Sequence, residues 1–158
     1  METAYNIGKV VTIILVLSVS IYFFIIIRKS QVTESELIEN NKAVITGDLK
    51  VYSIVSSGFI DRGNEYSYCR FKINEDKSVS LYFRFSLPTG VYYGPFLLVS
   101  KNSASAKKLT YYVEKFEREK DGKCYLHFRT KPSIISTYRV YIEYIDEEDF
   151  IQLSKYFK

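Results

Sequence analysis

From about residue 43 onward, hydrophobic and polar positions alternate one by one. Leu81, Phe83, Phe85 and Leu87 fall on one side of an extended chain, while Ser80, Tyr82, Arg84 and Ser86 fall on the other. A period of two marks a strand with one face in a core. The same alternation places Cys69, Phe71 and Ile73 inward, then Cys124, Leu126 and Phe128, then Tyr138, Val140, Ile142 and Tyr144. It predicts two similar sets of three strands: Leu49 to Val55, Tyr66 to Ile73 and Val79 to Leu87, then Leu109 to Phe116, Cys124 to Thr130 and Tyr138 to Ile145. Matching strands lie about 55 to 60 residues apart, a spacing that fits a duplication but that alternation alone also produces.

Turn chemistry separates the strands. Ser57-Gly58 and Arg62-Gly63-Asn64 interrupt the first set, and Asp121-Gly122 the second. Between the sets, Val91 to Val99 reads as a strand bulged at Gly94-Pro95, at an edge or a bend, because proline gives no ladder donor there. Asn102 to Ala106 reads as a small-residue loop. Acids from Asp146 to Asp149, apolar Phe150, Leu153 and Phe157, and Lys155 near the end predict a C-terminal helix packed on the sheet.

The first forty residues follow a different pattern. Val10 to Ile27 carries no charge and is bracketed by Lys9 and by Arg28-Lys29. Eighteen residues as helix cover about 27 Å, near the thickness of a bilayer's hydrocarbon, which predicts a single membrane span. A signal peptide is a poorer fit, since uncharged residues continue past Ser18-Val19-Ser20 and no small-residue cleavage site follows. Gly8, Thr12 and Ser20 recur at multiples of four and offer a narrow strip for helix–helix packing. Thr33-Glu34-Ser35-Glu36 is a capping box. The expected organisation is thus a tail (1–9), an anchor (10–29), a stalk or short helix (30–42) and a β domain (43–158).

Composition supports the β reading: fifteen Tyr and eleven Phe suit pleated surfaces. The expected fold class is mainly β, a small antiparallel sandwich or partly open barrel made of two three-stranded meanders and a bulged strand. Cys69 and Cys124 occupy equivalent inward positions and are candidates for one disulfide, the alternative being two buried thiols. A disulfide implies an oxidising compartment, so the β domain is expected on the extracytoplasmic side; flanking charges leave the orientation near a tie.

Chemistry-bearing motifs are scarce. One His and two Cys without C-x-x-C spacing argue against zinc. No G-x-S-x-G, Walker or dinucleotide pattern occurs, so neither a catalytic group nor a cofactor is expected. What stands out is an outward face rich in aromatic and basic groups: Tyr68, Arg70, Lys72, Tyr82, Arg84, Tyr125, His127, Arg129, Arg139 and Tyr141. Tyr and Arg are enriched at protein interfaces. A net charge of +4 is too mild to expect nucleic acid. The expectation is a non-enzymatic interaction or assembly module at a membrane, with the bilayer, other envelope proteins or itself as partner. Two alternatives are a lytic or pore-regulating protein using the span, and a tethered enzyme or ligand-binding barrel.

Overall fold

The computed structural model describes residues 2–38, 44–57, 60–63, 66–74, 78–86, 91–101, 110–130 and 136–157. It divides into two compact units, Met1–Gln31 and Val32–Lys158. The first unit is the helix α1 (Glu2–Lys29). Its described apolar side chains, including Val10, Ile14, Leu17, Ile21 and Phe24, are exposed. The hydroxyls of Thr12, Ser18 and Ser20 donate back to the carbonyls of Gly8, Ile14 and Val16, so these three groups are satisfied within the helix.

Among the described residues, no helix is long and apolar enough to cross a membrane. The expected single-pass anchor and membrane localisation are corrected on that finding.

The second unit is mainly β with a short C-terminal helix; strands make up 53% of the structure. Its elements are β1 (Gln31–Thr33), α2 (Glu34–Ile38), β2 (Val44–Ile45), β3 (Leu49–Ser57), β4 (Ile60–Gly63), β5 (Tyr68–Ile73) and β6 (Val79–Arg84). Then follow β7 (Val91–Ser100), β8 (Thr110–Arg118), β9 (Cys124–Thr130), β10 (Ser136–Ile142) and α3 (Glu147–Phe157). All six strands expected from alternation are present. β4 was expected only as a turn, whereas Ile60–Gly63 pairs with the far end of β3. Gly58, Asn64, Leu87, Leu109 and the stretch 102–106 lie outside the described residues.

The pairings form a sandwich-like ring. Neighbours run β5, β6, β7, β8, β9, β10, β3. β3 then returns to β5 through Leu49↔Cys69 and Lys50↔Tyr68. β10 joins the two three-stranded sets by pairing along β3 from Ser136↔Ser57 to Ile142↔Val51. One junction departs from the expected antiparallel pattern: β7 and β8 run parallel, from Leu97↔Thr110 to Ser100↔Val113. The bulge falls where it was expected, in that the β6–β7 register shifts between Leu81 and Phe83 opposite Gly94-Pro95. Pairing of β7 with β8 begins only at Leu97, beyond Gly94-Pro95. Gly94 has φ +151°, and a Cβ there would meet the Leu81 carbonyl oxygen at 2.9 Å.

The ring's interior is filled by side chains. Phe71, Phe83, Leu81, Leu126, Phe128, Val140 and Ile142 are buried in one continuous core. Phe128 stacks on Tyr138 at 4.9 Å, and Tyr66 stacks on Phe83 at 4.4 Å. α3 packs on this core through the buried Leu153, with Phe150 and Phe157 against Phe116 at 5.0 and 5.1 Å. Arg118 pairs with Glu147 in the first turn of α3. The β8–β9 turn needs Gly122, whose φ of +87° lies in the left-handed region.

Cys69 and Cys124 face inward as expected, but they form no disulfide. Both are buried free thiols. The ring places β3 and β10 between β5 and β9, so Cys69 sits opposite Leu49 and Phe83, and Cys124 opposite Ile142 and Arg118. Burial pushes the Cys69 thiol up, and pushes Cys124 up to about 12. Two buried free thiols do not require the oxidising, extracytoplasmic compartment that a disulfide implied.

Candidate functional site: two outer faces of the ring

The outward aromatic and basic residues divide into two groups with opposite fates. On β5, β6 and β7, the residues Tyr68, Arg70, Tyr82 and Arg84 lie beneath or beside the chain's own segment. The capping box forms reciprocally. The Thr33 N–H donates to Glu36 Oε2 (2.8 Å), and the Glu36 N–H donates to Thr33 Oγ1 (3.4 Å). These Thr33 donors hold the exposed Glu36 carboxyl below its usual range. The short helix α2 that follows does not stand apart as a stalk. Leu37 is buried against Tyr82 and Tyr92, with Val32 packed beside them.

Around that contact lies a polar cluster. Asp48 accepts from Arg70 Nε (2.6 Å), from the Arg84 guanidinium (2.7 Å) and from the Tyr92 hydroxyl (2.8 Å). Arg70 also donates to Glu34 (2.7 Å). Both guanidinium groups lie over the Tyr92 ring, at 5.0 and 5.6 Å from its centroid, and Arg84 also covers Tyr68 at 4.8 Å. Burial, with the hydrogen bond to Asp48, raises Tyr92 to about 12.

On β9, β10 and β3 the outer face is open. Register aligns Tyr52, Tyr141 and Tyr125 in one row across three strands. Their ring centroids are 6.0 and 5.1 Å apart, and His127 continues the row at 6.2 Å from Tyr125. Tyr52 and Tyr141 remain 43% and 42% exposed. Burial and the neighbouring Tyr141 raise Tyr125 above an ordinary phenol.

Ion pairs frame this row. Glu114 holds His127 Nδ1 at 3.2 Å and Arg129 Nε at 2.7 Å. Arg139 donates to Ser56 (2.9 Å) and to Asp61 (3.1 Å). Lys115 Nζ lies 5.8 Å from the Tyr125 ring centroid. The row therefore combines flat apolar area with oriented charges of both signs.

Alternation identified Tyr125, His127, Arg129, Arg139 and Tyr141 together, and the structure brings them together. It did not single out Tyr52, although Lys50, Tyr52 and Ile54 share the outward phase of β3. Asp48, Glu34 and Leu37 carried no periodic signal, because each lies outside the strands whose residues it contacts. Among the described residues, no group of three or more His, Cys, Asp or Glu is placed to hold a metal ion. A groove of about 440 Å³ between β8 and α3 is lined by Val113, Phe116, Phe150, Ile151 and Phe157, together with Glu114, Lys115, Ser154 and Lys155. No protein-family model, no curated protein and no solved structure matches this chain.

Proposed function

We propose that the chain is a non-catalytic protein-interaction module whose contact surface is the outer face of β9, β10 and β3. The observation that supports this reading is the row Tyr52–Tyr141–Tyr125, in which Tyr52 and Tyr141 are exposed and Tyr125 is half-buried. Large aromatic area left in water is disfavoured by the hydrophobic effect, and a partner that covered it would recover that area. Rigid tyrosines lose little conformational entropy on binding, which is why such residues carry interface energy. Glu114, Lys115, Arg129 and Arg139 around the row would set orientation more than affinity.

The test places a photo-activatable side chain at Tyr141 of the full chain, in the cells that naturally make it. The same group at Tyr144, exposed but outside the row, serves as the control. A discrete protein adduct from position 141, absent from position 144 and lost on Tyr52→Ser with Tyr125→Ser, is the expected result. Equal adducts from both positions, or none from position 141, would overturn the reading.

A further inference from the structure

The segment Val32–Leu37 lies on the outer face of β5, β6 and β7 as a ligand lies in a groove. Strand β1 at its start pairs with β7, and three side-chain contacts of different chemistry hold the rest. Leu37, 1% exposed, fills an apolar site walled by Tyr82 and Tyr92. Lys72, 6% exposed, donates from Nζ to the Leu37 carbonyl oxygen at 2.9 Å. Arg70 donates to the Glu34 carboxylate at 2.7 Å.

The contact is separable from the rest of the domain. The Leu37–Tyr82–Tyr92 cluster shares no residue with the ring's interior core, and β1 ties the start of the segment to β7. α2 has five residues, too few to hold a helix unaided. The groove is cationic beneath it. Arg70 and Arg84 converge on one carboxylate of the underlying structure, Asp48, Lys72 reaches the Leu37 carbonyl, and the segment adds Glu34 against Arg70. Arg84 Nε is buried without a hydrogen-bond partner, a donor that the resident segment leaves unused.

We propose that this groove is a receptor for short helical segments in which an acidic residue precedes a leucine by three positions, and that it takes Glu34–Leu37 of a second copy in exchange for its own. The carboxylate seats on Arg70, the leucine enters between Tyr82 and Tyr92, and Lys72 holds the main-chain carbonyl. A second copy is the occupant because its segment has the chemistry already seen to fit. This site is independent of the tyrosine row on the opposite strands.

The test uses the full chain and a fluorescein-labelled peptide of residues Gln31 to Ile38, read by anisotropy. In the wild-type chain the tethered segment competes at high effective concentration, so the peptide binds weakly; Leu37→Ala or Glu34→Ala in the protein raises its affinity at least roughly tenfold. Adding Arg70→Ala to either variant removes that gain. A peptide carrying Leu37→Ala loses affinity by a similar factor, which separates this groove from a simple anion site. Equal binding to wild-type and both variants, indifference to Arg70→Ala, or equal binding of the Leu37→Ala peptide would each overturn the proposal. So would loss of the near-ultraviolet dichroism of the folded chain in both protein variants, which would make the segment part of the domain's own core.

Discussion

Two outer faces of one ring carry the same kinds of residue and have become opposite surfaces. On β5, β6 and β7, Arg70 and Arg84 converge on Asp48 under the cover of residues 32–37. On β9, β10 and β3, Tyr52, Tyr141 and Tyr125 lie in a row with Glu114 holding His127 and Arg129 beside it. Each face thus has one acid serving two basic groups. The difference lies in what covers them, and coverage changes both the energy of the ion pairs and the use to which the rings can be put. Covered, Tyr92 is a wall and a hydrogen-bond donor. Open, Tyr141 is contact area.

The largest effect comes from the core that both faces share. Phe128→Ala leaves a cavity in the ring's interior and costs about 3–5 kcal/mol, measured by urea unfolding. Both faces should be lost together; survival of either alone would show that the ring is not one cooperative unit.

Asp48→Ala comes next. Removing one partner of a fully buried pair costs about 3–5 kcal/mol, and the partial exposure of Arg70 and Arg84 lowers the expectation to about 2 kcal/mol. The matched change on the open face, Glu114→Ala, costs no more than about 1 kcal/mol, since the Arg129 side chain is 53% exposed and water replaces its partner. Equal losses in the two variants would erase the distinction between the faces.

Alkaline titration sharpens the comparison further. Tyr92 loses its proton near 12 when folded and near 10 when unfolded, so the native state binds more protons between those values. Stability from this group is therefore present below about pH 10 and is lost as pH rises towards 12. Urea midpoints measured across that window should fall, and Tyr92→Phe should remove part of the decline. The Phe variant itself costs about 1 kcal/mol at neutral pH through the lost bond to Asp48.

The smallest effect is expected on the open row. Tyr141→Ser changes stability by less than about 1 kcal/mol, because cross-strand pairs contribute only a few tenths each. The same change should abolish the adduct formed from a photo-activatable group at Tyr52. A large stability loss here would make the row structural.

Much of the domain is legible in the residue pattern. Alternation through Phe71, Leu81, Leu126 and Val140 marks their strands and the side of each that faces the core, since successive side chains must point to opposite faces. Thr33 and Glu36 announce the cap, Gly94-Pro95 the bulge, and Asp146 to Phe157 the last helix, because each depends on residues within a few positions. The two cysteines show where local reading stops. Their inward direction is correct, but whether β5 and β9 are neighbours is a matter of strand order, and β3 and β10 lie between them. The candidate surface divides in the same way: Tyr125, His127, Arg129, Arg139 and Tyr141 are visible as an outward set, whereas the covering of Arg70 and Arg84 is not.

The chain by itself therefore determined the strands, their inward faces except at the ends, where Phe85 and Tyr144 were expected inward and are exposed, the turn at Gly122, the bulge and the capped turn at Thr33, all consequences of short-range sterics and hydrogen bonding. Tertiary structure alone decided that β7 and β8 run parallel, that β3 closes the ring on β5, and that both thiols are buried and free. It also decided which tyrosine-rich face is covered and which is open. Those outcomes depend on contacts between residues far apart in the chain. Their free energy comes from burying a shared core, which no local window of the sequence contains.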